Sequence, residues 1–97
     1  MNSSTSKIES FISVIIALNS EDTLNTQKVL ELYDLIEANF YDFEIIFITH
    51  SDKFSQDIKR LTNNIIGIRH ISLRAEVSKN LMVAAGLENS IGDIILN

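Results

Sequence analysis

Phe11-Ile12-Ser13-Val14-Ile15-Ile16-Ala17-Leu18 and Phe43-Glu44-Ile45-Ile46-Phe47-Ile48-Thr49 are the two stretches that decide the fold of this chain. Both are short, apolar and rich in β-branched residues, and neither alternates with polar residues as a half-exposed strand does. That is the pattern of strands covered on both faces, as in a parallel sheet.

Between them, Asn19-Ser20-Glu21-Asp22-Thr23 is a polar turn with several residues able to cap a helix. Over residues 24–40, Val29, Leu32, Tyr33, Ile36 and Phe40 recur at helical spacing, with Lys28, Glu31, Asp34 and Glu37 largely on the other side. After the second strand, residues 51–63 read as a short helix with Phe54, Ile58 and Leu61 on one face. Residues 66–73 read as a third strand, less deeply covered because it carries Arg69 and His70. Residues 76–89 read as a third helix, with Val77, Leu81, Ala84, Ala85 and Ile91 expected inward. Gly92-Asp93 then turns into Ile94-Ile95-Leu96, a fourth strand.

The order βαβαβαβ requires right-handed crossovers. The expected fold is therefore α/β: a three-layer α/β/α, Rossmann-like arrangement around a four-stranded, mainly parallel sheet. Residues 11–97 form a single domain and residues 1–10 a flexible leader. At 97 residues, such a chain buries roughly 60–70% of its unfolded surface, enough for one core.

Composition excludes several classes of function. A net charge of −5 argues against nucleic-acid binding, which needs clustered Lys and Arg to displace counterions from phosphates. The sequence has no cysteine, which removes disulfides, thiolate metal sites and cysteine nucleophiles. His50 and His70 are the only histidines, too few for a multi-histidine zinc centre. The N-terminus lacks a signal-peptide core, and no apolar run approaches the roughly 20 residues that span a bilayer. The chain is expected to be cytoplasmic, with no membrane segment.

In open parallel sheets, ligands bind beyond the carboxyl ends of the strands. Those ends carry Asn19, Glu21, His50, Asp52, Arg74, Glu76 and Lys79, although strand-end loops are polar in any such fold. No glycine-rich phosphate loop and no G-x-S-x-G elbow is present. His50 with Asp52 has the chemistry of a base and its orienter, but residues two apart need not meet and no nucleophile is paired with them, so a loop or nucleotide-contacting role is the expectation for His50.

Four segments in order resemble the front half of the family 2 glycosyltransferases of the GT-A fold. The family's first strand, S-V-V-I-P-x-Y/F-N-E, has as its counterpart Ser13-Val14-Ile15-Ile16-Ala17-Leu18-Asn19-Ser20-Glu21. E-I-I-F-V-D-D-G-S is matched by Glu44-Ile45-Ile46-Phe47-Ile48-Thr49-His50-Ser51-Asp52. I-x-L-S-R-N-F-G-K-x-x-A-L-x-A-G-L is matched by Ile71-Ser72-Leu73-Arg74-Ala75-Glu76-Val77-Ser78-Lys79-Asn80-Leu81-Met82-Val83-Ala84-Ala85-Gly86-Leu87. The family's G-D before its fourth strand falls on Gly92-Asp93.

The resemblance implies strand order 3-2-1-4 and a nucleotide-diphospho-sugar partner, bound by Leu18, Asn19, Glu21, Thr49, His50, Ser51 and Lys79. Glu21 lands on the acidic residue near the nucleotide and Lys79 on the basic residue near the phosphates. The base-holding carboxylate falls at Thr49 or His50, and neither is acidic. Ala17 and Ser20 replace the family's Pro and Asn, and Glu76-Val77-Ser78 replaces Asn-Phe-Gly, placing a negative charge where the diphosphate approaches. The D-x-D carboxylates that hold Mg or Mn in a full-length member would follow Asn97.

The implied protein is thus the nucleotide-sugar-binding portion of a transferase, truncated before D-x-D, with no catalytic residue, metal ligand or cofactor of its own. The alternative is a degenerate, non-catalytic GT-A-like module used in interaction or assembly. Receiver-like and flavodoxin-like domains fit less well, since Leu73-Arg74 lacks the receiver's Asp and the flavodoxin phosphate loop is missing. Truncation also implies that Ile94-Ile95-Leu96 forms an apolar sheet edge through which the chain self-associates.

Overall fold

A computed structural model describes residues 7–92 and the backbone of Ile94–Leu96. The elements are β1 (Ile12–Leu18), α1 (Thr26–Asn39), β2 (Phe43–Thr49), a 3-10 turn (Asp52–Phe54), α2 (Ser55–Asn64), β3 (Ile68–Ser72), α3 (Lys79–Asn89) and β4 (Ile94–Leu96).

β2 is the central strand. Its partners are β1, paired from Ile12↔Phe43 to Leu18↔Thr49, and β3, paired from Ile45↔Ile68 to Thr49↔Ser72, both parallel. Ile45, Ile46, Phe47 and Ile48 are fully buried, which explains the lack of polar alternation in this segment. Successive residues point to opposite faces. Ile45 and Phe47, with Ile12, Val14 and Leu18, meet Val29 and Ile36 of α1, and Phe54, Ile58 and Leu61 around α2. Ile46, Ile48 and Ile15 meet Met82 of α3, with Val77 beside it. Two helices therefore cover one face and one covers the other, giving three layers. Each fully buried large side chain contributes on the order of 1.5–3 kcal/mol.

The expected sheet needs correction. The expected four-stranded, mainly parallel sheet of order 3-2-1-4 is corrected in its extent: the body is a three-stranded, wholly parallel sheet in which β2 lies between β1 and β3. The last segment adds only the three residues of β4, parallel to the start of β1 at Ile12, Ser13 and Val14, on the side away from β2. Three residues is the short limit of strand length, so the C-terminal half of β1 has no strand on that side among the described residues. The side chains of β4, on which the expected apolar edge depends, lie outside the described residues, as does Asp93.

The inward set of α3 is also corrected. Met82 and Gly86 are buried, whereas Leu81 is 59% and Ile91 69% exposed and Ala84 is exposed. α3 is apolar nearly all round, so periodicity could not choose its inner face. Gly86 settles it: a Cβ there would lie 2.6 Å from Cγ2 of Ile15, so only glycine lets this helix approach β1 so closely.

Capping sets the helix starts. The Asn25 side chain accepts from the Lys28 N–H at 3.1 Å and Ser78 from the Leu81 N–H at 3.3 Å, so the helices begin later than residues 24 and 76. Gly67, at φ 82, makes the turn into β3 and delays that strand to Ile68. Of the expected leader, residues 1–6 lie outside the described residues. Ile8 is bonded to the end of α1, donating to the Asn39 carbonyl at 2.7 Å and accepting from the Tyr41 N–H at 3.3 Å. Among the described residues no helix is long and apolar enough to cross a membrane.

One carboxylate interrupts the apolar interior. Glu44, 3% exposed, accepts from the Ser13 hydroxyl at 2.6 Å, the Arg69 guanidinium at 2.8 Å and the Ile91 N–H at 2.9 Å. The Gly92 N–H in turn donates to Ser13 Oγ at 2.9 Å. Burial alone would raise the Glu44 pKa; the bonds from Ser13, Ile91 and Arg69 outweigh it and hold the group below 4.5.

Because the folded value is depressed, the stabilisation from Glu44 is present in full above the unfolded value of about 4.5 and is lost as pH falls through the folded value. Urea denaturation across that range should show stability falling with acid, and Glu44→Gln should flatten the fall. Gly86→Val should cost roughly 1–3 kcal/mol by overpacking against Ile15; an unchanged denaturation midpoint would contradict the close α3–β1 contact.

Candidate functional site

The carboxyl ends of the parallel strands bring together three loops: residues 19–25 after β1, 50–54 after β2 and 73–78 after β3. They touch directly. Lys79 at the start of α3 pairs with Asp22 of the first loop, Nζ to Oδ2 at 2.9 Å. Lys53 of the second loop donates to two first-loop carbonyls, Ser20 at 3.0 Å and Asp22 at 2.7 Å. Ser20 donates to Glu76 of the third loop at 3.5 Å.

The first loop is also folded on itself. Asp22 Oδ2 accepts from the Asn19 N–H at 2.8 Å, Asn19 Oδ1 accepts from the Glu21 N–H at 3.0 Å, and the Asn19 carbonyl accepts from the Asp22 N–H at 3.1 Å. The Asp22 carboxylate thus occupies the place an external anion would need, between a strand-end N–H and a lysine. The Lys79 hydrogen bond and then the Asn19 N–H hold its pKa below the ordinary 3.8.

The sequence-selected residues take different places around these loops. Leu18 is buried among the core side chains beneath α1, so it supports the loop rather than presenting a polar contact. Thr49 is fully buried and shares a 2.7 Å hydrogen bond with His70 Nε2. His50 Nδ1 lies 3.4 Å from the Leu73 carbonyl, a long contact that joins the second and third loops. Ser51 caps the 3-10 turn by accepting from the Lys53 N–H at 3.1 Å. Asn19 shapes its loop, and Glu21 is exposed on it. Lys79 is present at the site, but its ammonium is paired with Asp22.

His70, placed by the sequence on a less covered strand, sits at the β3 edge, where partial burial lowers its pKa below 6.5. Asp22 and Lys53 were missed as site residues. The available signal was a carboxylate after β1 and a lysine after each of β2 and β3, segments that a βαβ topology must bring together: Asp22, Lys53 and Lys79.

Among the described residues, no three His, Asp or Glu side chains gather to hold a metal ion. A cavity of about 200 Å³ lies between α1 and α2, lined by Thr26, Leu30, Arg60, Leu61 and Asn64. It contains none of the strand-end residues and is smaller than most small-molecule sites.

No protein-family model, curated protein or solved structure matches this chain.

The Asp22–Lys79 pair joins partly exposed groups, so its net contribution to stability should stay below about 1 kcal/mol. Its depressed carboxyl pKa makes the contribution complete above about 3.8 and progressively lost as pH falls through the folded value. Carbon-detected NMR of the Asp22 carboxyl should place its midpoint below 3.8 and move it upward in Lys79→Gln. A midpoint unmoved by that substitution would mean the pair does not form.

Proposed function

We propose that this chain is the N-terminal, nucleotide-sugar-binding portion of a family 2-like glycosyltransferase, acting in glycan or polysaccharide biosynthesis and not competent to transfer sugar by itself. The observation that carries this reading is the convergence of the three strand-end loops, with Lys53 and Lys79 among them. α1 and α2 lie on one face of the sheet and α3 on the other. The chain therefore changes face between β3 and β4, and parallel α/β sheets place their ligands at such a switch.

In this reading, Asn19 and Glu21 contact the nucleoside, and His50 and Ser51 border the base, with the buried Thr49 beneath them. Leu18 supports the loop from below. Lys79 meets the diphosphate after exchanging Asp22 for it. Each phosphate of a nucleotide-diphospho-sugar carries one negative charge, so two charges compete with the single Asp22 carboxylate for the ammonium, through charge-assisted hydrogen bonds of the same kind.

The second reading, a non-catalytic GT-A-like interaction module, is favoured by a different fact. Both lysines are already engaged by the chain's own oxygens, and Glu76 adds negative charge beside them.

An NMR titration of the labelled chain with UDP, GDP and their sugar conjugates, with and without magnesium, separates the two readings. Binding should shift residues 18–21, 49–51 and Lys79, and Asp22→Asn should tighten it by freeing Lys79. No shift at millimolar ligand in either form would end the nucleotide-sugar reading in favour of the interaction module.

A further inference from the structure

α3 leaves an apolar face uncovered. Its buried side is Met82 and Gly86. On the opposite side, Leu81 is 59% exposed, Leu87 47% exposed, and Ala84 between them is also exposed. At 3.6 residues per turn these three fall within roughly a third of the helix circumference, and Ile91, 69% exposed, continues the patch just past the helix end. A helix apolar on both sides is one that packs on both sides.

The order of residues on this face is self-complementary. Take a second copy of α3 laid antiparallel, with the two-fold axis at Ala84. Position 81 then faces position 87 of the second copy, and position 80 faces position 88. Leu81 thus meets Leu87 in both directions, Ala84 meets Ala84, and Asn80 lies opposite Glu88. A surface that matches its own inverse is what a two-fold interface requires. Alanine at the axis allows the helices to approach at the short end of the usual 8–10 Å range.

Electrostatics select the same arrangement. α3 has no acidic residue in its first turn and no basic residue in its last turn; the cation at its C-terminal end is Arg69 of β3, which donates to the Asn89 carbonyl. Glu88 stands near the C-terminus, the end where a negative charge is unfavourable. In the antiparallel pair, each Glu88 lies beside the first turn of the other helix, where a carboxylate is favoured, and the two helix dipoles oppose.

We propose that the chain forms a two-fold homodimer through the outer face of α3, centred on Ala84, rather than through the β4 edge. This interface is independent of the nucleotide-sugar reading, because its residues lie on the side of α3 away from the sheet.

The sequence contains no cysteine, so Ala84→Cys introduces a single thiol at the axis. Under mild oxidation this variant should form a disulfide-linked dimer, while Leu35→Cys, at an exposed position on α1 with Leu35 63% exposed, should stay monomeric. In sedimentation equilibrium the unmodified chain should show a monomer–dimer equilibrium, weakened by roughly tenfold or more in Leu81→Lys/Leu87→Lys. Both positions are exposed, so circular dichroism should be unchanged. A monomer at millimolar concentration would overturn the proposal, leaving the face for a different protein. Undiminished dimerisation of the double variant would equally overturn it and assign self-association to β4, as would equal crosslinking of the two thiol variants.

Discussion

The Glu44 carboxylate sits at the start of a strand whose next four residues have no solvent exposure. Moving a carboxylate into such surroundings costs several kcal/mol unless its oxygens are fully engaged. Here each partner comes from a different part of the chain: Ser13 from β1, Arg69 from β3, and the Ile91 N–H from the link between α3 and β4. Arg69 also donates to the Asn89 carbonyl at the end of α3, at 2.7 Å. Satisfying one buried charge therefore fixes the spacing of three strands and the point at which the chain returns to the β1 edge. Steric fit at Gly86 then sets how close α3 lies to the sheet.

With its amino ends tied by this network, the sheet presents the opposite ends of its strands as loops, and those loops are tied to one another as well. Asp22, Lys53 and Lys79 bond across the strand ends. The consequence for function is competition. An anionic ligand gains Lys79 only by displacing Asp22, so its affinity is lowered by whatever the internal pair is worth. That internal pair distinguishes this site from an open phosphate cradle built of glycine N–H groups.

Most of the fold was legible in the sequence. β2 agrees residue for residue with the segment 43–49 because both of its faces are buried and every position from 45 to 48 reports it. The resemblance to family 2 glycosyltransferases is read from the same strands and from the Ala-Gly-Leu end of α3, and the site chemistry it implies departs from the family at Thr49, His50 and Glu76. The site was legible only as a set of loops. Of the residues that bond across it, Asp22 stood only in a turn of candidate helix caps and Lys53 drew no reading, because hydrogen bonds between residues 31 to 57 positions apart leave no periodic trace.

The sequence by itself determined the alternation of strand and helix, the parallel pairing and the two-sided core, since these follow from local apolar patterning and right-handed crossovers. Tertiary structure alone decided three things: which side of α3 faces the sheet, how little of β1 the last strand covers, and which cations at the strand ends are already paired. Each depends on distances between segments far apart in the chain. An apolar helix with no polar face has no local signal to orient it, and a lysine carries no mark of the carboxylate it will meet.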